Sequence, residues 1–331
     1  MAQTLDTNQM TEFAEPVRAD LEVFSSRLND YLQGDSPLIT SIARHLLKSR
    51  GKRIRPVFLF LSSRAANNFT DYSVDASLAI ELIHTATLLH DDVVDESDLR
   101  RGIPTVNAKW TNLISVLMGD YLFAKAFRIM VRAGSIDLME AVSRATERVS
   151  IGELRQIEET GNYDLSEGEY LSIIADKTAS LFNVSCESGP ILNKRSGKER
   201  DAFARFGEDI GTAFQIADDL LDFVGDAETT GKQPGNDVLT GKVTLPLIFA
   251  LQKTGKAAKS EIISCLEKGV GRPEVFEQIH YFVQENGGID YAYRRADELS
   301  QRGMDAIGEI EPSVYFESLA NLVRFTTSRV A

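Results

Sequence analysis

The sequence predicts an all-α chain, and three observations carry that prediction. Apolar residues recur at spacings of three and four along most of the chain, the stretches that carry them end at glycine or proline, and no strong period-two run interrupts them. Within such stretches an acidic pattern occurs twice, as Asp91, Asp92 and Asp95 in LLHDDVVDESDLRRG and as Asp218, Asp219 and Asp222 in FQIADDLLDFV. On a helix the first and last of each trio share a face, and the middle one lies about 100° round. A single copy reads as the solvated face of an acidic helix. Two copies set among Leu, Val, Ile, Ala and Phe do not, because unpaired carboxylates beside a core are costly. A hard divalent cation removes the repulsion, and magnesium typically takes one or two carboxylates together with oxygens of a phosphorylated substrate. Two metal-binding helices facing each other across an apolar cavity account for both copies.

With 331 residues, 43% hydrophobic and 26% charged, the chain has material for one large helical domain over residues 1–331, with residues 1–10 read as a flexible tail. The formal charge of -13 argues against a nucleic-acid groove or an anionic membrane patch as the main binding surface. Anionic substrates stay compatible, since local cations reverse the sign in one pocket. Cys186 and Cys265 cannot make a disulfide framework and read as small core residues in a reducing compartment. The first residues lack a basic and an apolar signal region, and no apolar run approaches the ~20 residues of a spanning helix. The expectation is a cytoplasmic protein without a transmembrane segment, whose contact with lipid would be peripheral.

Phe13, Val17, Leu21, Phe24, Leu28 and Leu32 predict a first helix over Thr11 to Gln33, and Pro37 opens a second running to Lys48. SRGKRIRP, Ser49 to Pro56, is a turn with Lys52, Arg53 and Arg55 ahead of an apolar run. It reads either as a helix-terminal charge cluster or as a phosphate site, since arginine bonds phosphate oxygens in pairs and lysine adds a point charge. Ser73 to His90 is a long apolar helix, on which His84 stands seven residues before Asp91 and on the same face. A lone histidine is usually a satisfied core residue, and only this alignment suggests ligand contact. Arg100 and Arg101 follow, then Gly102 and Pro104 break the chain.

Leu113 to Val131 and Ile136 to Glu159 predict two more helices, the second containing GELRQIE, whose Glu153, Gln156 and Ile157 read as mostly solvated. Ser166 and Glu169 resemble a capping box that starts a helix running to Glu187. Asp176, Lys177 and Thr178 interrupt its apolar stripe, as a kink or as phosphate contacts. Lys198 to Val224 carries the second acidic trio, with Gln215 one turn before Asp218. The polar loop Gly225 to Pro246 is long enough to expect a function, with Lys232 and Lys242 as cations of a lid and Asp237 beside the metal. Leu247 to Gln252, Glu261 to Lys268, Val275 to Glu285, Asp290 to Met304 and Ser313 to Ser328 complete the predicted helices.

GKRIRP, LLHDDVVDESDLRRG, GELRQ, DKTASLF, FQIADDLLDF and GKQPGNDVLTGKVTLP together resemble the trans-isoprenyl diphosphate synthases, specifically the long-chain all-trans polyprenyl diphosphate synthases of hexaprenyl to solanesyl type. The resemblance covers the chain from about Leu21 onward. It implies an isoprenoid synthase bundle around a deep apolar cavity, and a homodimer. It implies that Asp91 and Asp95, with Asp218 across the cavity, bind three Mg²⁺, while Asp92, Asp219 and Asp222 assist directly or through water. It places the allylic diphosphate on Arg100, Lys177, Thr178, Gln215, Lys232 and Lys242, and isopentenyl diphosphate on Lys52, Arg55, His84 and Arg101. The catalytic set it implies is Asp91, Asp95, Arg100, Lys177, Gln215 and Asp218. The implied reaction is successive head-to-tail condensation of isopentenyl diphosphate onto farnesyl or geranylgeranyl diphosphate, for a respiratory quinone side chain.

Product length is expected to follow from Ile83, Ala86 and Thr87, which lie below Asp91 on one helix. Short-chain members of the resembled family carry bulky aromatics near positions 86 and 87, whereas this chain has Ala and Thr. The tail can then pass deeper until Phe123, Phe127 or a partner subunit stops it, giving roughly C30 to C45 at helix rise. The alternatives are a shorter-chain synthase, a class I terpene cyclase, or a non-catalytic subunit of a heteromeric synthase. The duplicated acidic motif and the basic SRGKRIRP turn speak against the cyclase.

Overall fold

The computed structural model describes residues 10–33, 36–48, 53–195, 197–224, 235–269 and 272–328. Pro16 sets the first departure from expectation: residues 10–13 are helical, then a 3₁₀ turn at Glu15–Val17 precedes α1 (Arg18–Leu32). Proline supplies no N–H for a continuous helix. The tail expected over residues 1–10 lies outside the described residues except for Met10, which is buried against the core. Next come α2 (Pro37–Lys48), α3 (Ile54–Ala65), buried almost all round, and α4 (Asp71–Val94). A Thr70–Ser73 capping box starts α4, so it begins two residues before the predicted start and runs about 36 Å at helix rise.

After α4 the chain makes a two-stranded antiparallel ribbon that the helical periodicity does not predict, β1 (Leu99–Arg100) paired with β2 (Ile103–Pro104). Arg101 at φ 53° and Gly102 at φ 75° form its turn, the pair of positive φ values that matches the twist of a two-residue hairpin. Three helices follow, α5 (Val106–Lys109), α6 (Asn112–Ala133) and α7 (Ile136–Glu158), each capped by a hydroxyl, from Thr105, Thr111 and Ser135. α8 (Glu167–Ile174) starts at the predicted Ser166–Glu169 capping box, then passes through a π turn at Ala175–Ala179 into α9 (Ser180–Leu192). α10 (Gly197–Val224) carries the second acidic trio. The remaining helices are α11 (Asn236–Leu239), α12 (Leu245–Lys253), α13 (Lys256–Gly269), α14 (Pro273–Glu285), α15 (Gly288–Ala306) and α16 (Val314–Ser328).

Packing divides the apolar interior into two clusters. One joins α1 to α4, α6, α7, α9, the start of α10 and α16, with Phe58 centred 5.5 Å from Phe182 and 6.1 Å from Phe206. The other lies among α8, the later part of α10, and α12 to α15. α4 runs along α6, and α10 lies against α9 and α15. The pairing of α4 with α6 is close because residue 119 is glycine: a Cβ there would stand 2.2 Å from His90 Nε2. Cys186 is buried as expected, but Cys265 is only partly covered and its thiol donates to Gln278 Oε1 at 3.2 Å. Among the described residues no helix is long and apolar enough to cross a membrane.

Candidate active site

The first acidic trio sits where α4 ends. Asp91 is in the last turn, Asp95 is the C-cap, and the Asp95 N–H donates to the Asp91 carbonyl at 2.8 Å, so the two side chains stay one turn apart. The Asp91 carboxyl is pushed up to about 7, chiefly by burial, with Glu153 and Asp95 adding repulsion while Lys177 and Arg100 oppose it. Asp92 is buried and accepts from Arg100 Nε at 2.7 Å. The ribbon turn makes that reach, because it folds the arginine pair back beside α4. Arg100, expected on a diphosphate, therefore rests on a carboxylate of the first trio here.

The second trio lies on α10. Asp219 is buried and accepts from Tyr170 Oη at 2.6 Å and from Gln215 Nε2 at 2.7 Å. Gln215 in turn accepts from Thr178 Oγ1 at 2.7 Å. Burial holds the Asp219 carboxyl well above the usual carboxylate range, Asp237 and Asp218 adding to it and the two hydrogen bonds opposing it. Asp222 accepts from the backbone N–H groups of Asn236 and Asp237 at 3.1 and 2.9 Å.

Two cations show that the trios face one another. Lys242 Nζ stands 3.9 Å from Asp95 Oδ1. Burial works to lower the Lys242 pKa, but Asp95, Asp237, Glu153 and Asp219 raise it above its ordinary value, so one ammonium feels carboxylates of both trios. Arg101, lowered by burial and by Arg100, is supported in its charge by Glu81 and by Asp218 on the facing helix. Lys177, in the π turn, pairs with Glu153 at 2.5 Å and also donates to Gln156. Gly152 permits that approach, since a Cβ at this position would meet the Lys177 backbone nitrogen at 2.4 Å. Glu153 and Gln156 are thus not the solvated side chains that their motif suggested.

Among the described residues no three of His, Cys, Asp and Glu already converge as a metal cage. The donor set nevertheless fits magnesium. It consists of hard oxygens on facing helices, and the Asp91 carboxyl, raised chiefly by burial and further by Glu153 and Asp95, is a group whose charged form a divalent ion would favour.

A separate basic site lies lower on α4. Arg55 at the start of α3 is buried, its Nε finds no acceptor among the described residues, and its guanidinium lies 4.9 Å from the centre of the Phe182 ring. Burial pushes its pKa down to about 10, against the support of Glu81 and with Arg101 adding repulsion. His84 is held well below its ordinary value by burial and by Arg55, Arg101 and Arg100, which keeps the ring neutral at physiological pH. Glu81, one turn before His84, is the acid of this group. Burial raises its pKa, while Arg55, Arg53 and Arg101 lower it. Sequence reading passed over Glu81, although its three-residue spacing to His84 places both on one face. Lys52 and Lys232 lie outside the described residues.

Along the same helix Ile83 and Ala86 are fully buried, and Thr87 is half-buried with its hydroxyl donating to the His84 carbonyl. The expected floor residues are placed differently. Phe123 lies with its ring tilted and centred 5.9 Å from that of His90, beside the acidic end of α4 rather than deep below it, and Phe127 is 44% exposed on the outer face of α6. Ser115, Met118, Leu122, Ala126, Ile129 and Met130 are the α6 side chains turned inward.

The sequence pattern of the polyprenyl synthetase family matches residues 36–282. An all-trans-nonaprenyl-diphosphate synthase (geranyl-diphosphate specific) of Rhodobacter capsulatus is 37% identical over 318 residues, covering 95% of this chain and 96% of that protein. Among solved structures, a decaprenyl diphosphate synthase from Rhodobacter capsulatus superposes with a TM-score of 0.91 at 32% identity, over 97% of this chain and 99% of that one. A polyprenyl synthase from Caulobacter crescentus, complexed with calcium and isoprenyl diphosphate, superposes with a TM-score of 0.89 at 35% identity, over 98% of each chain. A geranylgeranyl pyrophosphate synthetase from Pyrococcus horikoshii also fits, with a TM-score of 0.87 at 27% identity over 95% of this chain and 98% of that one, so similarity alone spans short and long products.

Proposed function

The chain belongs to the polyprenyl synthetase family and is a prenyltransferase with polyprenyl diphosphate synthase chemistry, and from that premise we propose a long-chain, all-trans, magnesium-dependent synthase acting in the cytoplasm. It extends farnesyl or geranylgeranyl diphosphate with isopentenyl diphosphate, for a respiratory quinone side chain. The observation that carries this reading is the pairing of two facing acidic trios, with Lys242 3.9 Å from Asp95 of one and within the field of Asp219 of the other, and a separate buried cation cluster centred on Arg55.

In this reading Asp91 and Asp95 on one side and Asp218 on the other hold about three Mg²⁺, with Asp92, Asp219 and Asp222 beside them. Magnesium, when bound, supplies Lewis-acid stabilisation of the charge that builds on the departing diphosphate. Lys177, Thr178, Gln215 and Lys242, with Lys232, orient the allylic diphosphate, and Arg100 swings from Asp92 onto it. Arg55, Arg101 and neutral His84, with Lys52, fix the diphosphate of isopentenyl diphosphate. As the allylic C1–O bond breaks, the double bond of isopentenyl diphosphate attacks the allyl cation, and a C2 proton leaves to the released diphosphate. The apolar walls below Asp91 keep water from the cation. Isopentenyl diphosphate cannot ionise in the same way, because its cation lacks allylic delocalisation, so its site needs fixed cations and no metal.

Small side chains at Ala86 and Thr87 support the long product, and the tail then runs down between α4 and the inward face of α6. A homodimer is supported by the exposed apolar stripe Leu113, Leu117 and Val131 on α6 with Ile136 and Leu154 on α7, since side chains 57–81% exposed at helical spacing call for a covering face. Incubation with isopentenyl diphosphate and farnesyl diphosphate, with and without Mg²⁺, tests the reading. Magnesium-dependent release of diphosphate with a ladder of linear prenyl products is expected, and cyclic hydrocarbon or no turnover would overturn it.

A further inference from the structure

The last carboxylate of the second trio is engaged by backbone. Asp222 Oδ1 accepts from the Asn236 N–H at 3.1 Å, Oδ2 from the Asp237 N–H at 2.9 Å, and the Asp222 carbonyl from the Gly235 N–H at 2.8 Å. Three consecutive residues of the chain are thereby fastened to the end of α10. They begin α11, which spans only Asn236–Leu239 and cannot sustain itself, because so short a helix has an unfavourable nucleus and open N–H groups at its start. At the far end of this segment Tyr170, whose hydroxyl donates to Asp219 at 2.6 Å, lies close to the backbone N–H of Leu245, the first residue of α12. Between these two ends the Lys242 N–H donates to the Asp237 carbonyl at 2.8 Å, and the Gly241 carbonyl accepts from Gly161 at 2.9 Å. The outcome is one lysine aimed at Asp95, 3.9 Å away.

We propose that Asp222 is a positioning residue rather than a magnesium ligand: with the Tyr170–Asp219 pair it clamps residues 235–245 so that Lys242 stands opposite Asp95 at the allylic diphosphate. The inference rests on the site reading above and refines it. The spacing of the second trio equals that of the first, yet the third members differ in use. Asp95 caps α4 with its backbone and extends its carboxylate toward Lys242, whereas both Asp222 carboxylate oxygens accept backbone N–H groups. Tyr170 is the second anchor, and no carboxylate is altered when its hydroxyl alone is removed.

The test compares Asp222→Ala, Asp222→Asn and Tyr170→Phe with the unmodified enzyme, using Mn²⁺ and inorganic diphosphate as the metal probe read by electron paramagnetic resonance. Hydrogen exchange at residues 235–245 and the two Michaelis constants complete the readout. Asp222→Ala should leave the number of bound Mn²⁺ unchanged, speed exchange in the segment, and raise the allylic Michaelis constant about five- to tenfold, as expected for a lost helix cap, without moving that for isopentenyl diphosphate. Asp222→Asn should recover part of the protection, because its carbonyl oxygen still accepts one N–H. Tyr170→Phe should show the same split from the other end. Loss of a bound Mn²⁺ in Asp222→Ala with unchanged exchange would overturn the clamp, as would equal rises in both constants. Asp218→Ala is the control for the underlying reading: it should lose bound Mn²⁺, and if it keeps both metal and turnover, the site reading itself fails, and the clamp with it.

Discussion

Replacing Arg55 by methionine should make the protein more stable and a much poorer catalyst. Arg55 is 9% exposed, and burial has pushed its pKa down from the ordinary guanidinium value to about 10. At ~1.4 kcal/mol per pKa unit that shift disfavours the charged side chain by about 3 kcal/mol. For a base whose folded value lies below its unfolded value, the cost is present in full at neutral pH and is relieved only as pH rises above about 10. Methionine removes that cost and keeps a favourable contact with the Phe182 ring. Glu81 loses one of its countercharges, which offsets part of the gain, so the net is about 1–2 kcal/mol of added stability, as buried-charge replacements often give. The same change deletes charge-assisted hydrogen bonds to a phosphate group, each worth about 1.5–3 kcal/mol, so the Michaelis constant for isopentenyl diphosphate should rise ten- to a hundredfold. Thermal melting and steady-state kinetics with both substrates check this. A lower melting temperature with an unchanged Michaelis constant would refute the reasoning and make Arg55 a structural bolt.

Three further outcomes are expected. Asp91→Ala or Asp218→Ala should nearly abolish turnover while melting cooperatively, and most activity surviving in saturating Mg²⁺ would remove the metal assignment. Ala86→Phe should shorten the product to about C15 to C20, because residue 86 lies about 7.5 Å below Asp91 along α4; chromatography of dephosphorylated products reads this, and an unchanged length in an active enzyme would place the tunnel elsewhere. The Asp91 carboxyl is raised from 3.8 to about 7, chiefly by burial. The unfolded chain therefore gives up this proton first, and the stability of the metal-free protein should fall as pH rises through that window. Magnesium with diphosphate should bind more tightly as pH rises through about 7, where the carboxylate becomes available. Melting temperatures between those pH values should show the slope, and Asp91→Asn should flatten it; identical slopes would contradict the assignment.

What the sequence made legible was what helical periodicity encodes. The two trios, Ser166–Glu169 and the long α4 follow from spacing within one segment, and the structure places them as read. The ribbon after α4 escaped because strands of two residues have no period to detect, and its turn needs Arg101 at φ 53°, a conformation no propensity predicts for arginine. The break at Pro16 was legible in the residue itself but was overridden by the apolar spacing around it. Tyr170 and Asp219 are 49 positions apart, and Lys177 and Glu153 are 24 apart, so these partnerships exist only once α7, α8 and α10 have packed. Asp222 has the spacing of a metal ligand, and only the structure shows that both of its carboxylate oxygens also accept backbone N–H groups, from Asn236 and Asp237.

The central claim is that the two diphosphates occupy two chemically different sites, one acidic and one basic, on the same helix. A crystal structure with Mg²⁺, an unreactive allylic thiodiphosphate and isopentenyl diphosphate tests it most directly. The account predicts magnesium between Asp91, Asp95 and Asp218 with the allylic group upon it, and isopentenyl diphosphate on Arg55, His84 and Arg101 without metal. An allylic diphosphate seated on Arg55, or metal ions away from Asp91 and Asp218, would contradict it.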